Sequence, residues 1–318
     1  MSIKTFLKLV EIQTKLASLF PFLLGALFAA LYFKEFNLGN TLLFFAAMLI
    51  FDMTTTAINN FMDFLKAKDE GYKDQVNIIG QEKIPEKLVR AIILTMLVIA
   101  AALGLWLVFR TDILVLFMGG ACFFIGIFYT YGPVPISRMP VGELFSGVTM
   151  GFGIFFIAVY VNLASGTLLN LQFLPNYQFA LVGNYLQILV ILLVSIPSIF
   201  TIANIMLANN LCDLDEDIVN HRYTLVFYIG RKRGVQLFNV LIYLSYVAVV
   251  LAVVLKIYHP IMLAVLLTLF PVSKNLSIFN QKQVKTETFV LSIKNLILIN
   301  GALVCLMLIS LLFYITSL

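Results

Sequence analysis

The sequence predicts an all-α, polytopic membrane protein with about nine transmembrane helices. Hydrophobic residues make up 61% of the 318 residues and charged residues only 12%, whereas soluble domains carry about 25% charged residues. The mean hydropathy of +1.01 comes from long unbroken apolar runs, which fit spanning helices and not the alternating strands of a membrane barrel. The three cysteines are scattered and form no CxxC pair, so they predict neither a disulfide framework nor a zinc site.

Nine apolar segments follow one another along the chain, each close to the length of about 20 residues that crosses a bilayer as a helix. With the N-terminus in the cytoplasm, 18 of the 21 Lys and Arg residues fall on the cytoplasmic side. This imbalance predicts a cell-membrane protein with a cytoplasmic N-terminus and an outer C-terminus. The segments cover residues 16–33, 41–58, 88–109, 113–131, 142–162, 185–208, 235–255, 260–279 and 289–316.

A short string, N-N-x-x-D, occurs twice, from Asn59 to Asp63 and from Asn209 to Asp213. Each copy ends an apolar segment on the predicted cytoplasmic side. A helix that continues through the string places Asn59 and Asp63 on one face, and Asn209, Asp213 and Asp217 on another. Two such stripes suit a shared Mg²⁺ ion, which takes oxygen ligands and usually brings substrate phosphates with it. The alternative is a pair of polar helix ends capped against solvent.

The two strings also predict an internal repeat within a single transmembrane domain, residues 1–318. They lie 150 residues apart and close the second and sixth segments, which both run toward the cytoplasm. The halves, about 1–165 and 166–288, are therefore expected to form a parallel repeat, with residues 289–316 as an additional helix. The uncharged stretch 163–184 is expected to be an outer loop between the halves.

A site that combines acidic residues, basic residues and apolar helices is suited to bind a lipid that carries a diphosphate head group. Mg²⁺ would neutralise the diphosphate, and Lys68 and Arg222 are the favoured contacts to its oxygens. For most other basic residues the positive-inside rule is sufficient explanation. Asp52, within the second segment on the face of Asn59, is either functional or a structural hydrogen-bonding group, and Asn204 has the same two interpretations. Gly147 and Gly151 form a small-xxx-small pair that predicts close helix packing.

Three blocks of sequence carry a resemblance to a known family. They are N-N-F-M-D-F-L-K-A-K-D at 59–69, Y-T-Y-G-P-V-P at 129–135 with Gly-Glu at 142–143, and N-N-L-C-D-L-D-E-D-I-V-N-H-R-Y-T-L at 209–225 with I-G-R at 229–231. The chain resembles the UbiA superfamily of intramembrane prenyltransferases, whose patterns are NDxxDxxxD and DxxxD. Within it, the blocks are most similar to the 1,4-dihydroxy-2-naphthoate polyprenyltransferases of menaquinone synthesis.

The resemblance implies a UbiA-type helical bundle, an Mg²⁺ cofactor, and transfer of a polyprenyl group from polyprenyl diphosphate to 1,4-dihydroxy-2-naphthoate. The implied partners are these two substrates and the lipid bilayer, with no nucleic acid. The active site would face the cytoplasm. The implied metal ligands are Asp63, Asp69, Asp213 and Asp217, of which Asp63, Asp213 and Asp217 are the catalytic candidates. The implied substrate-binding residues are Asn59 and Asn209 as orienting groups, Lys68 and Arg222 at the diphosphate, and Tyr129 and Glu143 on the acceptor side.

The sequence departs from the family pattern near both motifs. Asn60 stands where the pattern has Asp, and Cys212 stands where it has Arg; Ala67, Asn220 and His221 replace Gly, Gly and Lys. Asn60 still offers an oxygen ligand. Three alternatives stay open: another aromatic acceptor within the superfamily, a secondary transporter with acidic ion-coupling sites, and a non-catalytic lipid-binding scaffold.

Overall fold

The computed structural model describes residues 1–66, 77–132 and 135–316, and this part of the chain is helical apart from one small hairpin. Eight helices are long and apolar enough to cross a membrane, and Ile113–Tyr129 is a shorter apolar helix. Together they correspond to the nine predicted segments, so the predicted all-α membrane fold is confirmed. The eight long spans are Ile12–Phe33, Leu38–Leu65, Glu86–Arg110, Gly142–Tyr160, Tyr185–Cys212, Arg231–Val254, Pro260–Gln281 and Val290–Phe313.

The α-helices are labelled in chain order. They are α1 (Ile3–Leu9), α2 (Leu16–Phe28), α3 (Leu38–Lys66), α4 (Ile78–Gln81), α5 (Glu86–Arg110), α6 (Ile113–Thr130), α7 (Gly142–Ser146), α8 (Ile154–Tyr160), α9 (Tyr185–Cys212), α10 (Leu214–Val219), α11 (Leu225–Ile229), α12 (Arg231–Val254), α13 (Leu269–Gln281) and α14 (Val290–Thr316). Five segments of 3₁₀ or π-helix complete or connect them: Ile12–Lys15, Ala29–Phe33, Ile136–Arg138, Gly147–Gly153 and Pro260–Thr268.

The fifth span is an α-helix interrupted by the π-helical segment Gly147–Gly153, which packs tightly against α9. A Cβ atom on Gly151 would lie 2.5 Å from the Cα of Ile199, and one on Gly147 would lie 2.7 Å from the Ile199 carbonyl oxygen. Only glycine permits this approach of two backbones, as small residues do in other membrane helices. The predicted packing role of Gly147 and Gly151 is therefore confirmed.

The bundle packs helices from distant parts of the chain around a phenylalanine-rich core. Helix α3 packs along α5, α9 along α12, and α2 against α8 and α14. Phe28, Phe155 and Phe238 are fully buried. Each of the pairs α3–α5 and α9–α12 joins a helix that ends in an N-N-x-x-D string to the next span of the chain. The repeat itself and the orientation of the N-terminus stay predictions.

The stretch predicted as an outer loop contains an antiparallel hairpin. Strand β1 (Leu169–Leu174) pairs with β2 (Gln178–Gly183) in the register Leu169 with Gly183. Asn176 and Tyr177 in the turn have φ angles of 58° and 59°, the left-handed conformation that tight hairpins favour. The sequence L-N-L-Q-F alternates apolar and polar residues, which is a strand signal that the prediction of a loop overlooked.

Candidate active site

The second N-N-x-x-D string forms one continuous polar face at the end of α9. The Asp213 amide donates to the Asn209 carbonyl at 3.0 Å, and the Asp217 amide donates to the Asp213 carbonyl at 2.8 Å. These bonds between residues four apart carry helical geometry from α9 into α10, so Asn209, Asp213 and Asp217 share a face, as the sequence predicted. The side-chain nitrogen of Asn209, Nδ2, also donates to Asp213 Oδ2 at 3.1 Å.

The third member of this face, Asp217, is a buried carboxylate beside Arg222. Its side chain is only 3% exposed, and Oδ1 lies 3.4 Å from Arg222 Nη1. Its other oxygen, Oδ2, has no hydrogen-bond partner among the described residues, and neither has Arg222 Nε. Burial raises the pKa of the Asp217 carboxyl, and the nearby Asp213 adds to this, while Arg222 lowers the pKa. An unpaired buried carboxylate oxygen next to a second carboxylate is a favourable place for a cation.

A lysine from a distant loop also reaches this face. The Lys285 ammonium donates to Asp213 Oδ2 at 2.6 Å and to Asn209 Oδ1. It also lies 5.1 Å from the centre of the Phe289 ring, within range of a cation–π contact. Lys285 comes from the connection between α13 and α14, so the residues around the second string are drawn from two parts of the chain.

The first string lies on the last turns of α3, where Asn59 and Asp63 share a face as predicted. Asn60 points elsewhere: its amide nitrogen donates to the Leu9 carbonyl at 2.9 Å and to Glu11 Oε1 at 3.3 Å. The carbonyl of Asn60 accepts from Asn77 at 2.9 Å. An aspartate could not donate to the Leu9 carbonyl, so the departure from the family pattern gives this chain a contact between α3 and its N-terminal segment.

Further along the same face of α3 is a buried ion pair. Lys15 Nζ lies 2.8 Å from Asp52 Oδ1, with side chains 6% and 14% exposed. Thr56 accepts from Lys15 at 2.6 Å, and Ser18 donates to Asp52 Oδ2 at 2.5 Å. The side chain of Asn204, the other polar residue predicted within the membrane, donates to the Phe238 carbonyl at 2.8 Å. Asp52 and Asn204 thus both have structural partners.

Both strings, the Lys15–Asp52 pair and Lys285 line one cavity of about 1070 Å³. It follows α3 from Asp63 to Phe44, about 28 Å at 1.5 Å per helical residue, which is most of the thickness of a bilayer core. Polar side chains of both strings line one end, and apolar side chains of α3, α5, α6, α9 and α14 line the rest. A long apolar tail with a charged head matches this distribution.

The cavity brings together six of the predicted site residues: Asn59, Asp63, Tyr129, Asn209, Asp213 and Arg222. Two others lie behind its wall. Asp217 contacts Arg222. Buried Glu143 accepts a hydrogen bond from the Asn210 side chain at 2.8 Å. The carbonyl of the neighbouring Gly142 accepts from the Tyr129 hydroxyl at 3.3 Å. The predicted residues Lys68 and Asp69 lie outside the described part of the chain.

The residues of the second string fit a hard divalent cation. Asn209, Asp213 and Asp217 offer oxygen atoms, one of them unpaired and buried, and a cationic ammonium already contacts two of the three side chains. Within the described ranges no three His, Cys, Asp or Glu side chains form a metal-binding cluster. With few carboxylates from the protein, the coordination of such a cation would include substrate phosphate oxygens and water, as is usual for Mg²⁺.

Sequence reasoning missed three basic residues of the cavity wall: Lys15, Arg138 and Lys285. All three were counted only as part of the cytoplasmic excess of positive charge. Lys285 lies 72 residues from Asp213 in sequence, and no local spacing connects the two. The only available signal for Lys15 was that a carboxylate inside a membrane span, Asp52, requires a partner.

Comparisons with known proteins agree with this architecture. The model of the UbiA prenyltransferase family matches residues 18–296. The 1,4-dihydroxy-2-naphthoate octaprenyltransferase of Bacillus subtilis (strain 168) is 29% identical over 268 residues, which cover 82% of this chain and 77% of that protein.

Two solved structures share the fold at low identity. The apo structure of a UbiA homolog from Aeropyrum pernix K1 superimposes with a TM-score of 0.66 at 17% identity, covering 92% of this chain and 98% of the homolog. A UbiA homolog from Archaeoglobus fulgidus bound to DMAPP and Mg²⁺ gives a TM-score of 0.61 at 12% identity, covering 95% and 99%. The family model spans most of the chain, so this multi-pass membrane protein belongs to the UbiA prenyltransferase family and is a prenyltransferase.

Proposed function

We propose that the protein transfers a polyprenyl group from polyprenyl diphosphate to 1,4-dihydroxy-2-naphthoate, giving demethylmenaquinol. One observation carries the proposal: both N-N-x-x-D strings line the same end of a deep apolar cavity. The similarity to the Bacillus subtilis octaprenyltransferase supports the choice of acceptor. The transporter and scaffold alternatives are set aside because the family is one of enzymes.

The charged end of the cavity would hold the diphosphate. Asp63, Asp69, Asp213 and Asp217 would bind Mg²⁺ directly or through water, with Asn59 and Asn209 orienting them. Bound Mg²⁺ would neutralise the diphosphate and make it a better leaving group. Arg222 would contact phosphate oxygens from the cavity wall, and Lys68 is assigned the same role.

The apolar part of the cavity would exclude water from the reacting carbon. The carbon–oxygen bond to diphosphate breaks with both electrons leaving on the diphosphate, which yields an allylic cation. The ring of the acceptor attacks this cation, and its carboxylate leaves as carbon dioxide. Phe44, Phe51 and Phe123 of the cavity wall could stabilise the cation through their ring faces. Tyr129, backed by the Glu143–Asn210 pair, is assigned to the acceptor side. The site is proposed to face the cytoplasm in the cell membrane.

The test is prenyl transfer by purified protein in detergent with 1,4-dihydroxy-2-naphthoate, octaprenyl diphosphate, and either Mg²⁺ or EDTA. Asp63→Ala and Asp213→Ala should each lower the rate at least about 100-fold, as loss of groups that stabilise transition-state charge does elsewhere. Asp215→Ala is the matched control, because this neighbouring carboxylate is 85% exposed and pairs with Arg231 outside the cavity. Activity without metal, or unchanged activity in both variants, would refute the metal site. Diphosphate binding without transfer would point to another acceptor.

A further inference from the structure

We infer that Lys285 is a positioning residue that holds the second string in the absence of metal and makes metal and diphosphate bind together. The inference rests on the proposed function and extends it to a residue outside both motifs. Its ammonium group contacts Asp213 Oδ2, an oxygen of a proposed metal ligand, and Asn209 Oδ1, an oxygen of a residue proposed to orient that ligand. A protein cation therefore lies on the Asp213 oxygen that a metal cation would need.

The loop that carries Lys285 is organised by its own hydrogen bonds. The Thr288 hydroxyl accepts from the Val284 amide at 2.9 Å, and the Thr288 amide donates to the Val284 carbonyl at 2.8 Å. The pair of Lys282 with Glu287 at 2.8 Å is 57% exposed on both sides and therefore contributes little to the stability of the loop. The two bonds between Thr288 and Val284 fix the backbone on both sides of Lys285, so that only the lysine side chain itself must be ordered to reach α9.

The sequence from Asn209 to Asp217 contains no basic residue that could contact Asp213. The family pattern has Arg directly before this aspartate, and this chain has Cys212. Lys285 therefore restores, from the α13–α14 connection, a positive charge that the motif itself lacks.

A fixed positive charge has opposite effects on the two ligands. It repels a free divalent cation from Asp213, and it attracts a diphosphate that carries several negative charges. Lys285 would thus weaken the binding of metal alone and strengthen the binding of diphosphate with metal. The flexible lysine stem allows the ammonium to leave Asp213 for a phosphate oxygen when the two arrive together.

The experiment measures binding and not turnover. Free Mn²⁺ is followed by electron paramagnetic resonance during titration of purified protein in detergent, with and without inorganic diphosphate. For Lys285→Gln we expect Mn²⁺ alone to bind about twofold to fivefold more tightly, and diphosphate in the presence of Mn²⁺ to bind more weakly by a similar factor, the range that one partly exposed ion pair supplies. Lys285→Arg retains the charge and should behave like the wild type.

Lys282→Gln is the matched control, since it removes a lysine from the same loop whose partner is Glu287 and not the string. It should change neither affinity. Unchanged affinities in Lys285→Gln would overturn the inference. Weaker binding of both Mn²⁺ alone and diphosphate with Mn²⁺ in this variant would also overturn it, because a merely structural role would weaken the binding of both ligands together. Either result would leave the proposed function intact. Failure of the wild type to bind Mn²⁺ even with diphosphate would refute the metal role in the proposed function as well.

Discussion

The ion pair between Lys15 and Asp52 offers a direct test of whether a charged residue inside the membrane is structural or functional. Its two side chains are 6% and 14% exposed, and both groups line the cavity. The perturbation is a double-mutant cycle of Lys15→Met, Asp52→Asn and the two together. Each single variant leaves one charge buried without its counter-ion, whereas the double variant removes both charges.

The magnitude follows from the burial of the pair. Breaking a buried ion pair by removing one partner costs about 3–5 kcal/mol, while replacing both partners is close to neutral. Lys15 would keep its bond to Thr56 in Asp52→Asn, and Asp52 would keep its bond to Ser18 in Lys15→Met. We therefore expect the lower end, about 3 kcal/mol for each single variant, and less than about 1 kcal/mol for the double variant.

The assay is thermal unfolding in detergent, in which about 3 kcal/mol should lower the midpoint by roughly 6 °C for a chain of this size. The matched control is Glu82→Gln in the exposed pair with Lys8, which joins at 3.0 Å and should leave the midpoint unchanged. Costs that simply add in the double variant would refute the coupling. Single variants that lose prenyl transfer without loss of stability would show that Asp52 is functional and not structural.

Three further predictions concern α3, α10 and the packing of the fifth span. Burial raises the pKa of the Asp217 carboxyl. The protonated carboxyl therefore stabilises the metal-free protein below the ordinary aspartate pKa, and this stabilisation is lost as the pH rises through the raised pKa. Asp217→Asn should remove this loss from the pH dependence of the melting midpoint measured in EDTA. Gly151→Ala should lower the unfolding free energy by about 1–3 kcal/mol through overpacking. Gly153→Ala is the control and should not lower it, because the added Cβ would have its nearest contact at 3.7 Å. Equal effects of the two variants would contradict the packing analysis. Asn60→Asp restores the family residue but loses the donor to Leu9, and should expose the N-terminal segment to limited proteolysis, which the isosteric change Asn59→Asp should not.

Sequence alone determined the features that depend on local composition. The nine apolar segments were found because each helix gains its place in a bilayer from its own residues and satisfies its own backbone hydrogen bonds. The face shared by Asn209, Asp213 and Asp217 followed from helical periodicity, which continues past the end of α9. Gly147 and Gly151 were recognised as a packing pair because only small residues four apart allow such an approach.

Tertiary structure decided which of the charged residues meet. Lys15 is 37 residues from Asp52, and Lys285 is 76 residues from Asn209, so their contacts depend on how α2, α3, α9 and α14 pack and not on any local pattern. The same is true of Asn60, whose donor to Leu9 exists only because α1 lies against α3. Hydropathy places a helix in the membrane, but the energy of a charged contact depends on the distance and burial of both partners, and only the folded bundle sets those two quantities.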